Sequence, residues 1–229
     1  MPGVIRTSLM RAPQAGKPAA PGACATCAGD GKPKPAPSAA VKKMIAGLPA
    51  AQQALVLMSP TLQRALEQLS AQGWKVEYRK KDGGFCDRTR KTIVLGANVQ
   101  TMIALAHEVG HALYVPRPWP SLLLSEIEYV DMRMEQLLRD EGEALFIEAA
   151  IRSEAIAAGG RIVADPRVPS AAIYADYRAG KISRDVAVTR LGDLYRPLPT
   201  STTGETYEVW AMKVALVEWK NGAPLRAKK

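Results

Sequence analysis

Histidine is almost absent from this chain of 229 residues, and both copies lie in one short stretch. They are His107 and His111 in "ALAHEVGHAL", with Glu108 directly after the first. Residues four apart lie on the same face of a helix, so two imidazoles at this spacing can bind one metal ion. Glu108 projects about 100° around the helix from His107, where it can accept a proton from a water bound to such a metal. Since the chain has no third histidine, an Asp, Glu or Cys must complete a zinc site.

Cysteine and long apolar runs are scarce as well. Three cysteines are too few for a disulfide scaffold, and the "CATC" pair, Cys24 and Cys27, has no second pair to form a metal site. We expect these two to be unpaired or linked to each other. No apolar run is long enough for a transmembrane helix, and the first residues lack the continuous apolar core of a Sec signal peptide.

Positive charge exceeds negative charge, giving a net charge of +9. The excess is spread along the chain without dense Lys/Arg blocks or interleaved aromatic residues, so it does not indicate nucleic-acid binding. An acidic peptide substrate or partner accounts for the charge equally well. Residues 1–40 are rich in Pro, Ala and Gly and predict a disordered arm, and residues 41–229 predict one folded domain.

The domain reads as α+β and mainly helical. Ser59, Pro60 and Gly73 mark a helix from its cap to its stop, and Asn98 is a candidate cap for the HExxH helix. An apolar stripe opposite the two histidines packs that helix into the core. The predicted helices are two within 41–72, the HExxH helix at about 99–114, and further helices at about 121–158, 169–179, 183–195 (capped by Ser183) and 204–220.

A small β-hairpin is predicted directly before the HExxH helix. Residues 74–79 and 91–95 are its strand-like runs, and "KDGG" supplies the turn chemistry. Cys86 falls in a strand-like segment between them. The run 91–95 is expected to pair with an extended peptide substrate as an added strand.

The third metal ligand is predicted from helix geometry in "MRMEQLLRDEGEALFIEAAIRSE". Glu141 lies in the middle of an apolar face, where a carboxylate needs a metal or a partner. Glu143 points about 200° away and is the alternative ligand. Glu148 shares the face of Glu141, where it either orients a ligand histidine or lies at the helix edge. Gly110 and Ala144 are small enough for the two helices to approach closely.

Two motifs, "HEVGH" and the downstream "EGEA", resemble zincin metallopeptidases of the gluzincin type. The Glu141-x-x-Ala144 pattern is similar to the third-ligand helix of CAAX-type membrane proteases and of regulatory peptidases that cleave phage repressors. Those families usually place Asp or Asn where this chain has Leu145. Residues 70–155 more closely resemble the metallopeptidase domains of bacterial polymorphic toxins and type VI secretion effectors.

This resemblance implies a zincin-like domain with a Zn²⁺ cofactor that hydrolyses peptide bonds in a target cell. His107, His111 and Glu141 would bind the metal, and Glu108 would be the catalytic base. The resemblance also implies a cognate immunity protein, a secretion-apparatus component, and delivery from the producer's cytoplasm to a target periplasm. An intracellular housekeeping or regulatory metallopeptidase and a non-catalytic zinc module are the alternatives. Without another histidine, Tyr207 or Tyr114 is the candidate for stabilising the oxyanion.

Overall fold

A computed structural model describes residues 36–80, 83–99, 101–162, 169–200 and 203–222. The chain forms two units, Met1–Ala36 and Pro37–Lys229, and the second is described here. Residues 1–35, which include Cys24, Cys27 and most of the predicted arm, lie outside the described residues. The last two residues of that arm, Ala39 and Ala40, already belong to the first helix.

The described residues form a mainly helical α+β fold, as the sequence predicts, with a small sheet between the third and fourth helices. In chain order the elements are α1 (Ala39–Ile45), α2 (Ala50–Val56), α3 (Pro60–Ala71), β1 (Lys75–Arg79), β2 (Gly84–Asp87), β3 (Thr92–Gly96), α4 (Met102–Leu113), α5 (Glu126–Ala157), α6 (Ser170–Arg178), α7 (Arg184–Tyr195) and α8 (Tyr207–Asn221).

Helix ends follow local capping chemistry. Ser59 caps α3 with Pro60 at its first position, and Gly73 just beyond it has φ +83°, so these predictions are confirmed. Ser183 caps α7, also as predicted. The cap predicted for α4 is wrong: Thr101 accepts the Ala104 N–H there. Asn98 instead accepts the N–H of Gly83 at 3.2 Å, because a tertiary contact outweighs the local preference.

The segment 41–72 holds three helices rather than the predicted two. Pro49 separates α1 from α2 and stands as the cap of the second. Gly47 lies in the break, where an added Cβ would come within 2.0 Å of the Tyr78 ring. The Tyr78 hydroxyl in turn donates to the Met44 carbonyl at 2.9 Å. The break therefore accommodates a side chain from β1, a contact that helical periodicity does not encode.

The predicted hairpin is wrong in its pairing. Residues 74–79 and 91–95 do contain neighbouring strands, but β1 and β3 run parallel. The hairpin joins β2 to β3, and the strand order is β1-β3-β2. Its turn is "DRTRK", in which the Asp87 carboxylate accepts the Arg90 N–H at 2.9 Å and Lys91 has φ +50°. A side-chain-to-backbone hydrogen bond thus stabilises the turn of this hairpin, whereas the sequence predicts a turn based on the glycines of "KDGG".

The strand order also overturns the expected substrate contact on residues 91–95. β3 is the central strand, every residue in it is buried, and both of its edges are already paired. It therefore has no free backbone groups for an added strand. The outer edges of the sheet belong to β1 and β2. Cys86 lies in β2, half-buried and with a free thiol.

Two apolar clusters organise the described part of the molecule, and α5 contributes to both. One cluster joins α1, α2 and α3 to the sheet and to α4, with Ile151 and Ala155 from α5. The other packs α6 and α7 against α5 around Phe146 and Leu191. Among the described helices, none is both long and apolar enough to cross a membrane. The 32 residues of α5 are a scaffold between the two clusters.

Candidate metal centre

The site forms where α4 crosses α5. A Cβ added to Gly110 would lie 2.5 Å from the Ala144 Cα, so the two backbones are in direct contact. No side chain larger than hydrogen fits at Gly110 without moving a helix. This contact agrees with the expectation that Gly110 and Ala144 permit a close approach. It brings His107 and His111 to the α5 face that carries Glu141.

Three donor atoms converge at this crossing. His107 Nε2 and His111 Nε2 are 3.2 Å apart. Glu141 Oε2 lies 3.4 Å from the first nitrogen and 3.5 Å from the second. The three side chains are only 12–14 % exposed. The triangle is thus nearly equilateral and shielded from bulk water.

The size of the triangle fits a tetrahedral metal ion. Ligand atoms bound to tetrahedral zinc at their usual bond lengths lie about 3.3–3.5 Å from one another. The Glu141 Oε2 atom is buried and makes no hydrogen bond to any described group. A buried carboxylate oxygen without a donor is unfavourable unless a cation stabilises it. The donor set, two imidazoles and one carboxylate, suits zinc and leaves a fourth position open.

The alternative ligand, Glu143, lies elsewhere. Its two carboxylate oxygens accept hydrogen bonds from Arg184 at 3.0 and 2.5 Å. It is buried and satisfied by this ion pair, so it is separate from the donor triangle. The structure therefore brings Glu141, and not Glu143, to the histidines, as helix geometry predicted.

Each of the two histidines is held by a carboxylate through its other ring nitrogen, Nδ1. His107 Nδ1 lies 3.3 Å from Glu148 Oε2, and buried Arg152 donates to Glu148 Oε1 at 2.6 Å. The orienting position considered for Glu148 is thus the one it occupies. Protonating Nδ1 toward the carboxylate leaves Nε2 with a lone pair for a metal.

His111 has an equivalent carboxylate and guanidinium partner, which was not predicted from the sequence. Asp140 Oδ1 lies 2.8 Å from His111 Nδ1, and Arg88 donates to the same oxygen at 2.6 Å. Arg88 also donates through Nε and Nη2 to the His111 carbonyl, at 3.0 and 2.7 Å. Asp140 was detectable as an acid beside Glu141 on the same helix. Arg88 carried no local signal, because it comes from the β2–β3 turn.

The electrostatics show competition between burial and charge. Burial lowers the pKa of His111, but the carboxylates of Asp140 and Glu141 outweigh it and raise this pKa to about 9. His107 behaves similarly, and Glu141 and Glu148 hold its pKa well above the usual value. Burial raises the pKa of Glu141, yet the two imidazoles lower it to about 2. The site therefore strongly stabilises positive charge at the donor triangle.

Glu108 lies beside this triangle without joining it. It is half-buried and makes no hydrogen bond or ion pair within the described part of the chain. Burial raises its pKa, and the nearby charges of His107 and His111 oppose that rise in part. A carboxylate with increased proton affinity and no internal partner is suited to accept a proton from water.

Two tyrosines from α7 and α8 cover one side of the site. The Tyr195 ring stacks on His107 with centroids 5.8 Å apart, and Tyr207 packs edge-on against Tyr195 at 4.8 Å. Burial raises the pKa of Tyr207, with Glu141 and Glu108 adding to the effect. Tyr207 is thus near the centre, while Tyr114 lines a separate pocket with Arg117, Arg139 and Arg184. Tyr195, which the sequence analysis missed, gave no signal beyond its residue type.

Comparison with known proteins identifies no relative. A scan of this sequence against protein-family models and searches of curated proteins and of solved structures found no match.

Proposed function

We propose that this protein is a zinc-dependent peptidase. The observation that carries the proposal is the buried triangle of His107, His111 and Glu141, with edges of 3.2–3.5 Å. Glu108 stands next to the triangle with no other partner among the described residues. This combination of three ligands and one adjacent carboxylate is the arrangement that metal-assisted hydrolysis requires.

The number of ligands favours catalysis over a purely structural role. Structural zinc sites are closed by four protein ligands, whereas catalytic sites use three and keep a position for water. Among the described residues the cluster has three members. A non-catalytic zinc module is therefore the weaker reading of the same geometry.

The chain's own residues have distinct tasks in the proposed reaction. Bound Zn²⁺ would supply Lewis acidity, polarising the scissile carbonyl and lowering the pKa of water. Glu108 accepts a proton from the attacking water and later delivers it to the leaving amine. Asp140 and Glu148 keep the two imidazoles oriented with Nε2 toward the triangle. Of the two tyrosines that the sequence suggests, Tyr207 is the candidate donor to the oxyanion, because it packs on Tyr195 beside His107 whereas Tyr114 lines a separate pocket.

The biological setting of this peptidase is proposed from sequence resemblance. The segment 70–155 resembles the metallopeptidase domains of polymorphic toxins and type VI secretion effectors. We assign the protein on that basis to antibacterial effectors, with a peptide or protein substrate and a cognate immunity protein. An intracellular housekeeping or regulatory peptidase shares the chemistry and differs in its target.

One pair of variants tests the chemistry. Glu108→Ala should retain zinc, because Glu108 is outside the triangle, and should lower peptide hydrolysis by about 10²–10⁴-fold. Glu143→Gln, a matched carboxylate change outside the triangle, should retain both zinc and turnover. Zinc content by elemental analysis and cleavage of a peptide library are the measurements. Unchanged hydrolysis in Glu108→Ala would sink the proposed mechanism, and loss of its zinc would make Glu108 a ligand.

Expression in bacteria tests the setting. Wild-type protein and Glu108→Ala are each directed to the cytoplasm and to the periplasm, and growth is compared. An effector acting in the periplasm should inhibit growth only there and only with Glu108 intact. Equal growth in all four cultures would favour the housekeeping or regulatory peptidase.

A further inference from the structure

A small cavity lies away from the metal centre and is dominated by guanidinium groups. It has a volume of about 320 Å³. Tyr114, Val115 and Arg117 line it from the segment after α4, Arg139 and Glu143 line it from α5, and Arg184 lines it from the start of α7. We call it the arginine pocket. Arg139 and Glu143 point about 200° away from Glu141 around α5, so the pocket and the donor triangle lie on different faces of that helix.

The acids around the arginine pocket differ in how firmly they are held. Glu143 is buried, and both of its carboxylate oxygens accept hydrogen bonds from Arg184, so its charge is neutralised inside the protein. Asp185 is 68 % exposed, pairs with Arg139 and lies 3.9 Å from Arg117. Arg139 lowers the pKa of Asp185 most strongly, and Arg117 and Arg184 add to the effect. Three arginines thus stabilise one solvent-exposed carboxylate.

The pocket also contains a hydroxyl without a partner. The Tyr114 hydroxyl oxygen is buried and completes no hydrogen bond with any described group. The Arg117 backbone amide influences its pKa but falls outside hydrogen-bond geometry. A buried donor left unpaired is unfavourable, and a ligand oxygen would relieve it once a small movement of the Tyr114 ring opens the hydroxyl to the pocket.

We propose that the arginine pocket binds a carboxylate presented by an acidic peptide segment, in the place that Asp185 now holds. Exposed ion pairs contribute little to stability, so exchanging Asp185 for an external carboxylate is nearly neutral for the fold. The incoming group gains charge-assisted hydrogen bonds from Arg117 and Arg139, which line the pocket, and the Tyr114 hydroxyl adds one once the ring has moved. The protein's net charge of +9 favours the encounter with such a segment.

This binding does not rest on the proposed peptidase activity. It can be measured in a full-length Glu108→Ala background, where hydrolysis of the probe is suppressed if the protein is a peptidase. The probe is a fluorescein-labelled peptide with two adjacent glutamates, and its partner has glutamine at both positions. Fluorescence anisotropy gives the dissociation constant for each, and inorganic phosphate serves as a competing anion in a separate arm.

Arg117 and Asp185 are 59 % and 68 % exposed, and Tyr114→Phe removes only a hydroxyl that has no partner among the described residues, so all three variants should fold. Arg117→Gln should weaken binding of the acidic peptide by about fivefold, and Tyr114→Phe by about threefold. Asp185→Asn should strengthen it by about threefold, because the internal competitor is removed. Arg90→Gln and Asp176→Asn make the same charge changes at side chains that are 67 % and 40 % exposed and outside the pocket. Neither should change the dissociation constant.

The comparison of variants decides the proposal. Binding that follows the pocket variants and ignores the two control variants supports it, as does weaker binding of the glutamine peptide. Equal shifts in the control variants would reduce the effect to net charge and overturn it. Weaker binding in Asp185→Asn would also overturn it. Phosphate that binds at the pocket while the acidic peptide does not would contradict the assignment to a peptide carboxylate.

Discussion

Glu141 and Glu143 are two residues apart on α5, and both are largely buried, yet their surroundings are opposite. Glu141 faces two imidazoles at 3.4 and 3.5 Å and has an oxygen without a hydrogen bond to any described group. Glu143 faces the Arg184 guanidinium and is satisfied through both oxygens. Glu143 is neutralised by the permanent positive charge of Arg184. Glu141 lies beside two imidazoles, and the three groups together can hold a metal ion.

The difference shows how one helix separates a candidate metal centre from a buried ion pair. A guanidinium keeps its proton at every physiological pH, so the Glu143 pair is fixed. An imidazole can still lose its proton, even with the raised pKa of His111, so the Glu141 cluster can exchange protons for a metal. Burial alone does not distinguish the two acids; the type of neighbouring cation, guanidinium or imidazole, does. The predictions below test this contrast from the largest expected effect to the smallest.

Replacing each acid by its amide should distinguish the two faces of α5 more clearly than any other change. Glu141→Gln should weaken zinc binding by more than about 100-fold, because a neutral amide replaces an anionic donor. This loss should exceed the loss expected when a residue that only orients a ligand histidine is changed. Glu143→Gln should leave zinc affinity within about threefold and lower stability by about 1–2 kcal/mol through the lost charged hydrogen bonds. Chelator competition and thermal unfolding measure the two effects. The reverse pattern would place Glu143 in the triangle and refute the contrast.

Weakening the support of His111 should have the next largest effect. Asp140→Asn should lower zinc affinity by about 10–100-fold, because the imidazole loses the carboxylate that orients it. Arg88→Gln should act in the same direction and less strongly. Asp193→Asn, at a 51 % exposed acid paired with Arg196, is the matched control and should not change zinc affinity. Chelator competition on all variants is decisive, and equal losses in the control would argue against a specific role for Asp140.

Changing pH should separate the metal-free protein from the zinc-bound protein. The pKa of His111 rises to about 9 in the folded chain against an ordinary 6.5, so its stabilising contribution is fully present below pH 6.5 and is lost as pH rises through 9. Zinc must displace that proton, so affinity should rise about tenfold per pH unit per displaced proton between pH 7 and 9. Calorimetry in buffers of different ionisation enthalpy counts the released protons. A flat affinity across this range would exclude proton displacement.

Adding one methyl group on either side of α5 should have the smallest effect on zinc affinity, although each change strains a helix contact. Gly110→Ala pushes against Ala144 at the metal crossing, and Gly142→Ala pushes against Val188 on the α7 side. Each should lower stability by about 1–3 kcal/mol through overpacking. Only Gly110→Ala should also weaken zinc binding, because it separates α4 from α5. Denaturant unfolding beside zinc affinity tests this, and an equal zinc loss in Gly142→Ala would show that the two faces are coupled.

Several elements of the site follow from local patterns. The four-residue spacing of His107 and His111 fixes a shared helix face, and the helical angle of Glu141 separates it from Glu143. Capping residues such as Ser59 and Ser183 act within one turn, so the corresponding helix starts are confirmed. Each of these inferences depends on contacts within a few residues, where the chain geometry is already known.

The errors arise where segments compete through space. The sequence predicts a hairpin of 74–79 with 91–95 because "KDGG" between them is a strong turn signal. In the structure β3 pairs with β2 on one side and with β1 on the other. The helix cap moved from Asn98 to Thr101 because Asn98 binds Gly83. Both outcomes depend on the full set of available partners, which local propensity does not contain.

The sequence by itself determined the candidate metal-binding trio of His107, His111 and Glu141, the adjacent Glu108 and the mainly helical class. Helical periodicity is a local property, so these features could be read without a fold. Only the tertiary structure decided the strand order and the partners that hold the site, among them Arg88, Asp140 and Tyr195. Arg88 is 52 residues from Asp140 in sequence, and only the packing of the sheet turn against α4 and α5 brings them together.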